Sequence, residues 1–144
     1  MTTPRYKPKH FDTRELVTPH AYQRLGDGAL LLMDDRILIA LDTIRNLFER
    51  SITVNNWHYG GGFTQRGWRD DAEVGSKFSQ HRFGRAVDFD VKGMTAQEAR
   101  DAIIEMWPLS SKLQHITRIE DGVNWCHIDC APVVVANTPI LFKP

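Results

Sequence analysis

Two short stretches carry residue types able to do chemistry. The first is Ser79-Gln-His81-Arg-Phe-Gly84-Arg-Ala-Val-Asp88-Phe-Asp90, the second Asn124-Trp-Cys-His127-Ile-Asp129-Cys130. His81, Asp88 and His127 together offer two imidazole nitrogens and one carboxylate oxygen. Three such ligands leave the fourth tetrahedral position open, which is the composition of a catalytic zinc site. A carboxylate-bearing strand face is also a common solvated edge, and a lone histidine is often structural, so spacing by itself leaves those readings open.

The second stretch also holds two cysteines, and strand alternation separates them from the histidine. Trp125, His127 and Asp129 share one face, while Cys126, Ile128 and Cys130 share the other. Four residues of strand hold the two cysteines roughly 13 Å apart. A disulfide needs Cα atoms within about 7 Å, so the pair cannot bond to each other. Nor can they join His127 on one ion, and they read as small buried hydrophobes.

The elements that would position these residues follow from periodicity. Arg85–Val91 alternates, with Val87, Phe89 and Val91 on one face and Ala86, Asp88 and Asp90 on the other. Gly84 lets the chain turn so that His81 and Asp88 converge. Ile116–Glu120 and Val123–Cys130 read as strands around Asp121-Gly122, a two-residue hairpin signal that would pair Glu120 with Val123 and Arg118 with Trp125. In that register Glu120 lies roughly 13 Å from His127. Val133–Ala136 suggests a last edge strand, and residues 137–144 a tail.

Upstream, residues 1–15 read as an extended lead-in. Ile37, Leu41, Ile44 and Phe48 mark one face of a helix over residues 30–50. Ser51–Asn55 suits a short strand. Thr95-Ala-Gln-Glu98 is a capping-box pattern opening a helix whose buried stripe is Ala99, Ile103 and Met106, stopped at Pro108. Residues 57–84 hold six glycines and no period, and a long aperiodic loop in a compact domain is often functional. The order predicts an α+β fold, a small mainly antiparallel sheet with helices on one face, in one domain spanning 1–144.

Composition narrows the function classes. Of 144 residues, 18 are Lys or Arg and 18 Asp or Glu, giving formal net charge zero. Such balance argues against broad attachment to nucleic acid or an anionic membrane. No apolar run is long enough to span a bilayer. No apolar segment follows the basic N-terminus, so synthesis without a signal peptide and a cytoplasmic start are expected. A monomer is expected.

The pattern Ser79-x-His81-x-x-Gly84-x-Ala86-x-Asp88, followed by Trp125-x-His127-x-Asp129, resembles the family of zinc D-alanyl-D-alanine carboxypeptidases and phage murein endopeptidases. That family shares its fold with the Hedgehog signalling domain, and the likeness runs from Phe11 to Ala131. It implies zinc on His81, Asp88 and His127, and hydrolysis of amide bonds in peptidoglycan stem peptides. The small size and the lack of a signal segment point in addition to a phage or prophage origin, with action on the wall after release or from the virion.

Arg66 or Arg69 would hold a substrate carboxylate, with Ser79 and Trp125 as further substrate contacts. Many members carry the general base three residues before the second histidine. That position here is Asn124, which does not exchange a proton near neutral pH. Hedgehog-like relatives place the acid six residues before the histidine, which matches Asp121. Asp121 is therefore preferred over Glu120, with Asp71 and Glu73 as outsiders. A catalytically silent zinc-binding virion or tail module of the same fold is the alternative that Asn124 favours.

Overall fold

The computed structural model describes residues 5–70, 77–134 and 137–144. Asp71, Glu73 and residues 135–136 lie outside them, and Val133 and Val134 form no strand. The architecture is α+β, with a five-stranded, mostly antiparallel sheet. Its strands are β1 (Ile52–Thr53), β2 (Ala86–Val91), β3 (Arg118–Glu120), β4 (Cys126–Asp129) and β5 (Ile140–Phe142). They lie in the order β1-β2-β4-β3-β5. Four helices accompany them among the described residues: α1 (Thr13–Leu16), α2 (Pro19–Leu25), α3 (Asp35–Phe48) and α4 (Ala96–Met106).

One face of the sheet is apolar because the strands alternate. Val87, Phe89, Ile119, Cys126, Ile128 and Cys130 join one core with Ile37, Leu41 and Ile44 of α3 and Ala99 and Ile103 of α4. Both cysteines are free and buried there, as small hydrophobes. The opposite face carries the polar alternates Asp88, Glu120 and His127. α4 opens with the expected box: Thr95 accepts from the Glu98 N–H, and the Glu98 carboxylate accepts from the Thr95 N–H. No helix among the described residues is long and apolar enough to cross a membrane.

Four further expectations are corrected. The lead-in is not extended to residue 15, because Asp12 and Glu15 form a capping box that starts α1 at Thr13. The long helix begins at Asp35 rather than Leu30. Asp34 caps it, and residues 26–32 wind instead as a 3₁₀ turn. The 137–144 tail contains β5, which pairs parallel with β3 through Arg118↔Ile140 and Glu120↔Phe142.

The fourth correction reaches the site. The β3–β4 register is Arg118↔Asp129 and Ile119↔Ile128, not Arg118 with Trp125. Residues 121–125 form a five-residue connection between the two strands. Gly122 does adopt positive φ, but the chain does not reverse there in two residues. The buried Arg100 guanidinium (4% exposed) donates to the carbonyls of Val123 and Trp125 and holds the longer connection open.

Candidate metal centre

The first histidine sits in a single 3₁₀ turn, Gln80–Phe83. The Ser79 hydroxyl accepts from the His81 N–H at the start, and Gly84 closes the turn at φ +69°. A side chain at Gly84 would run into the Leu32 carbonyl and Met33, so this close crossing admits only glycine. Ser79 therefore braces the ligand turn.

Asp88 and His127 need no loop. They are Cα partners on the neighbouring strands β2 and β4, so their side chains rise side by side on the polar face. His127 Nδ1 and His81 Nε2 lie 2.7 and 3.3 Å from Asp88 Oδ1. One ligand atom from each of the three residues falls within 4.8 Å of the others.

The remaining ring nitrogens explain which atoms face inward. His81 Nδ1 is 2.9 Å from the Gly67 carbonyl oxygen, an acceptor only, so it carries the proton and leaves Nε2 a lone pair. His127 faces a carboxylate at each nitrogen, Nε2 at 2.9 Å from Asp129 Oδ2 and Nδ1 at 2.7 Å from Asp88 Oδ1; with Nε2–H held by Asp129, Nδ1 is the nitrogen that a metal ion beside Asp88 would take in place of its proton. Asp129 is fully buried and is held by Arg118 through Nε and a terminal nitrogen, at 3.0 and 2.8 Å. Metal-binding histidines characteristically donate their second nitrogen to a carboxylate or carbonyl in this manner. His81, Asp88 and His127 thus form a buried group that could hold a metal ion.

The electrostatics point the same way. Burial alone would raise the pKa of Asp88. The hydrogen bonds from His127 and His81 overturn this and hold it well below the usual carboxylate range. Burial would lower the pKa of His127, yet its bonds to Asp129 and Asp88 push it up to about 9. The centre thus favours positive charge at the point where the three ligands meet.

Glu120 is drawn into this centre by the observed register. Its Oε2 lies 3.8 Å from His127 Nδ1 with only 12% of the side chain exposed. Asp121 is 36% exposed and faces Arg100 at 3.7 Å, outside the cavity around the three ligands. That cavity, of about 530 Å³, is lined by Ser79, Glu120 and Trp125 among others.

The two arginines expected to await a substrate are already engaged. Both terminal nitrogens of Arg66 donate to Asp90, at 2.9 and 3.1 Å. Arg69 donates to the Gln65 carbonyl and lies 3.7 Å from Asp88 Oδ2. Sequence reasoning missed Phe142, whose ring meets the His127 ring edge-on at 5.4 Å and covers the Arg118 guanidinium at 4.2 Å. It also missed the Arg118–Asp129 pair. Arg118 and Glu120 alternate on one strand face, so that signal was available, whereas nothing local foretold Phe142. Searches of protein-family models, curated proteins and solved structures returned no match to this chain.

Proposed function

We propose that this chain is a zinc-dependent peptidase of the Hedgehog/DD-peptidase fold. It would hydrolyse amide bonds in bacterial cell-wall peptides and be encoded by a phage or prophage. The observation that carries the reading is the three-residue group itself, with each histidine's second nitrogen tied down and a carboxylate, Glu120, beside it. Two imidazoles and one carboxylate suit zinc, and a three-residue set leaves a position for substrate or water.

Zinc held by His81, Asp88 and His127 would supply a Lewis acid for the scissile carbonyl and acidify the attacking water. The protein's part is positioning and proton transfer. Glu120 Oε2 takes a proton from water as the water oxygen bonds to the carbonyl carbon. The C–N bond then breaks, and the leaving amine departs with the proton that Glu120 returns. Asp129 keeps the proton of His127 on Nε2, and Arg118 keeps Asp129 ionised. Asn124, the family's usual base position, is not required for this scheme.

Zinc content after purification without chelator, together with digestion of purified murein, tests the proposal. Bound zinc with murein and free stem peptides left intact would instead select the silent virion or tail module, the reading that Asn124 favours.

A further inference from the structure

Arg100 lies on α4, next to the core residue Ala99, and is almost wholly buried. Arginine is rarely so buried unless its guanidinium is engaged. One terminal nitrogen donates to the carbonyls of Trp125 and Val123 at 3.0 and 3.1 Å, and the other donates to the Gln97 side-chain oxygen at 3.1 Å. Nε lies 3.7 Å from Asp121 Oδ1. A helix packed on the apolar face of the sheet thus grips both ends of the connection 121–125.

The two carbonyls are the ones that a tight turn would use. A two-residue hairpin at Asp121-Gly122 closes on a hydrogen-bonded pair of Glu120 and Val123, and the next such pair is Arg118 and Trp125. The Val123 and Trp125 carbonyls would then accept from the Glu120 and Arg118 N–H groups. Arg100 takes both acceptors. In the observed register Ile119 faces Ile128, so Glu120 falls beside His127 instead of Val123. That offset along the chain is even, so both arrangements keep Glu120 on the polar face. They differ by roughly 13 Å in where its carboxylate stands relative to His127.

Resting on the part given to Glu120 in the proposed reaction, we infer that Arg100 is the positioning residue for that carboxylate. Arg100 lies outside the cavity around the three ligands. By occupying the two carbonyls it keeps the connection long, and so keeps Glu120 at the side of His127. A lysine fills this role only in part, because its single ammonium lacks the planar fork. A separate cavity of about 420 Å³, lined by Gln97, Arg100, Val123 and Asn124 among others, opens beside the guanidinium. A free guanidinium ion therefore has a way in when the side chain is cut back.

The test uses the zinc-loaded full chain and purified murein, with Arg100→Ala, Glu120→Gln and the double variant. Arg100→Ala should bind zinc within about threefold of the parent, yet lose about 10²-fold or more in kcat. The double variant should be no slower than Glu120→Gln alone, because both changes take the same carboxylate from the site. Methylguanidinium should raise the activity of Arg100→Ala about tenfold or more and leave Glu120→Gln unchanged. Nuclear Overhauser contacts between Ile119 and Ile128 report the register directly, and Arg100→Ala should lose them. Losses that multiply in the double variant, no rescue, or unchanged Ile119–Ile128 contacts would overturn the inference and leave the peptidase reading intact. If the parent binds zinc but cuts no murein, the peptidase reading fails. The Overhauser contacts then decide alone: their loss in Arg100→Ala supports the positioning role, and their persistence overturns it. Should Arg100→Ala not fold, Arg100→Lys is read by the same cycle and contacts, with a smaller loss expected. Failure of both to fold would make Arg100 a residue of the fold only and overturn the inference.

Discussion

Glu120 Oε2 stands 3.8 Å from His127 Nδ1, on the next rung of the ladder that pairs Ile119 with Ile128. Its neighbour Asp121 turns to Arg100. Glu120→Gln should lower turnover of murein by about 10²- to 10⁴-fold, the usual contribution of a general base, with zinc still bound. Asp121→Asn should stay within a few-fold of the parent. The two variants are compared by dye release from labelled murein alongside metal analysis, and the reverse ranking would move the base to Asp121.

The proposed zinc site consists of His81, Asp88 and His127, which together could hold a metal ion. The parent chain should bind about one zinc, and its melting temperature should rise on adding the metal. His127→Ala and Asp88→Asn should lose both the stoichiometric zinc and the thermal shift. A zinc-dependent shift retained in both variants would place the ion elsewhere.

In the proposed scheme Asp129 acts through His127 rather than on substrate. Asp129→Asn removes the charge that orients the imidazole, and zinc affinity should fall about 10- to 100-fold. Competition with a chromophoric chelator reads this directly. Arg118→Gln should shift affinity in the same direction by less, because Asp129 then still keeps its contacts to His127 and the Ala131 N–H.

Gly84 and Gly122 both have positive φ, but only Gly84 faces a wall. Alanine at Gly122 meets open space and should cost about 1–2 kcal/mol for the left-handed backbone alone. Alanine at Gly84 also strikes the Leu32 carbonyl, and should cost about 3 kcal/mol or more. Urea unfolding of the two variants measures the difference.

Burial pushes the Cys126 and Cys130 thiols up to about 12. A thiol reagent at pH 8 should leave the folded chain unlabelled and label both cysteines after unfolding. The linkage has a definite sign. The folded pKa values are raised, so the stabilising contribution is complete below the ordinary thiol pKa of 9.0 and is lost as pH rises through about 12. Alkaline unfolding should therefore occur at higher pH in a Cys126→Ala, Cys130→Ala double variant, apart from its cavity cost.

What was legible in the sequence was what repeats locally. The alternation of residues 85–91 and 124–130 located the apolar and polar faces, and with them Asp88 and His127 on polar faces; that the two strands are neighbours, with Asp88 across from His127, came only from the fold. What was not legible depended on partners far along the chain. Asp121-Gly122 signals a turn, but its length depends on Arg100, whose guanidinium reaches the carbonyls of Val123 and Trp125. From sequence, Arg100 is an ordinary helix-surface charge. The resulting shift of register moves Glu120 from two rungs away to the side of His127. β5 reads as tail in the sequence because a three-residue strand flanked by prolines has no period of its own, and its partner β3 lies some twenty residues upstream.

The Asp34 N–H donates to the Gly84 carbonyl at 2.9 Å. The residue that caps the longest helix thus also holds the end of the turn bearing His81. Heat or denaturant that frays the first turn of α3 would loosen His81 at the same moment. Zinc at the far face of the sheet should in turn slow amide hydrogen exchange at the start of α3, a helix that contributes no ligand to it.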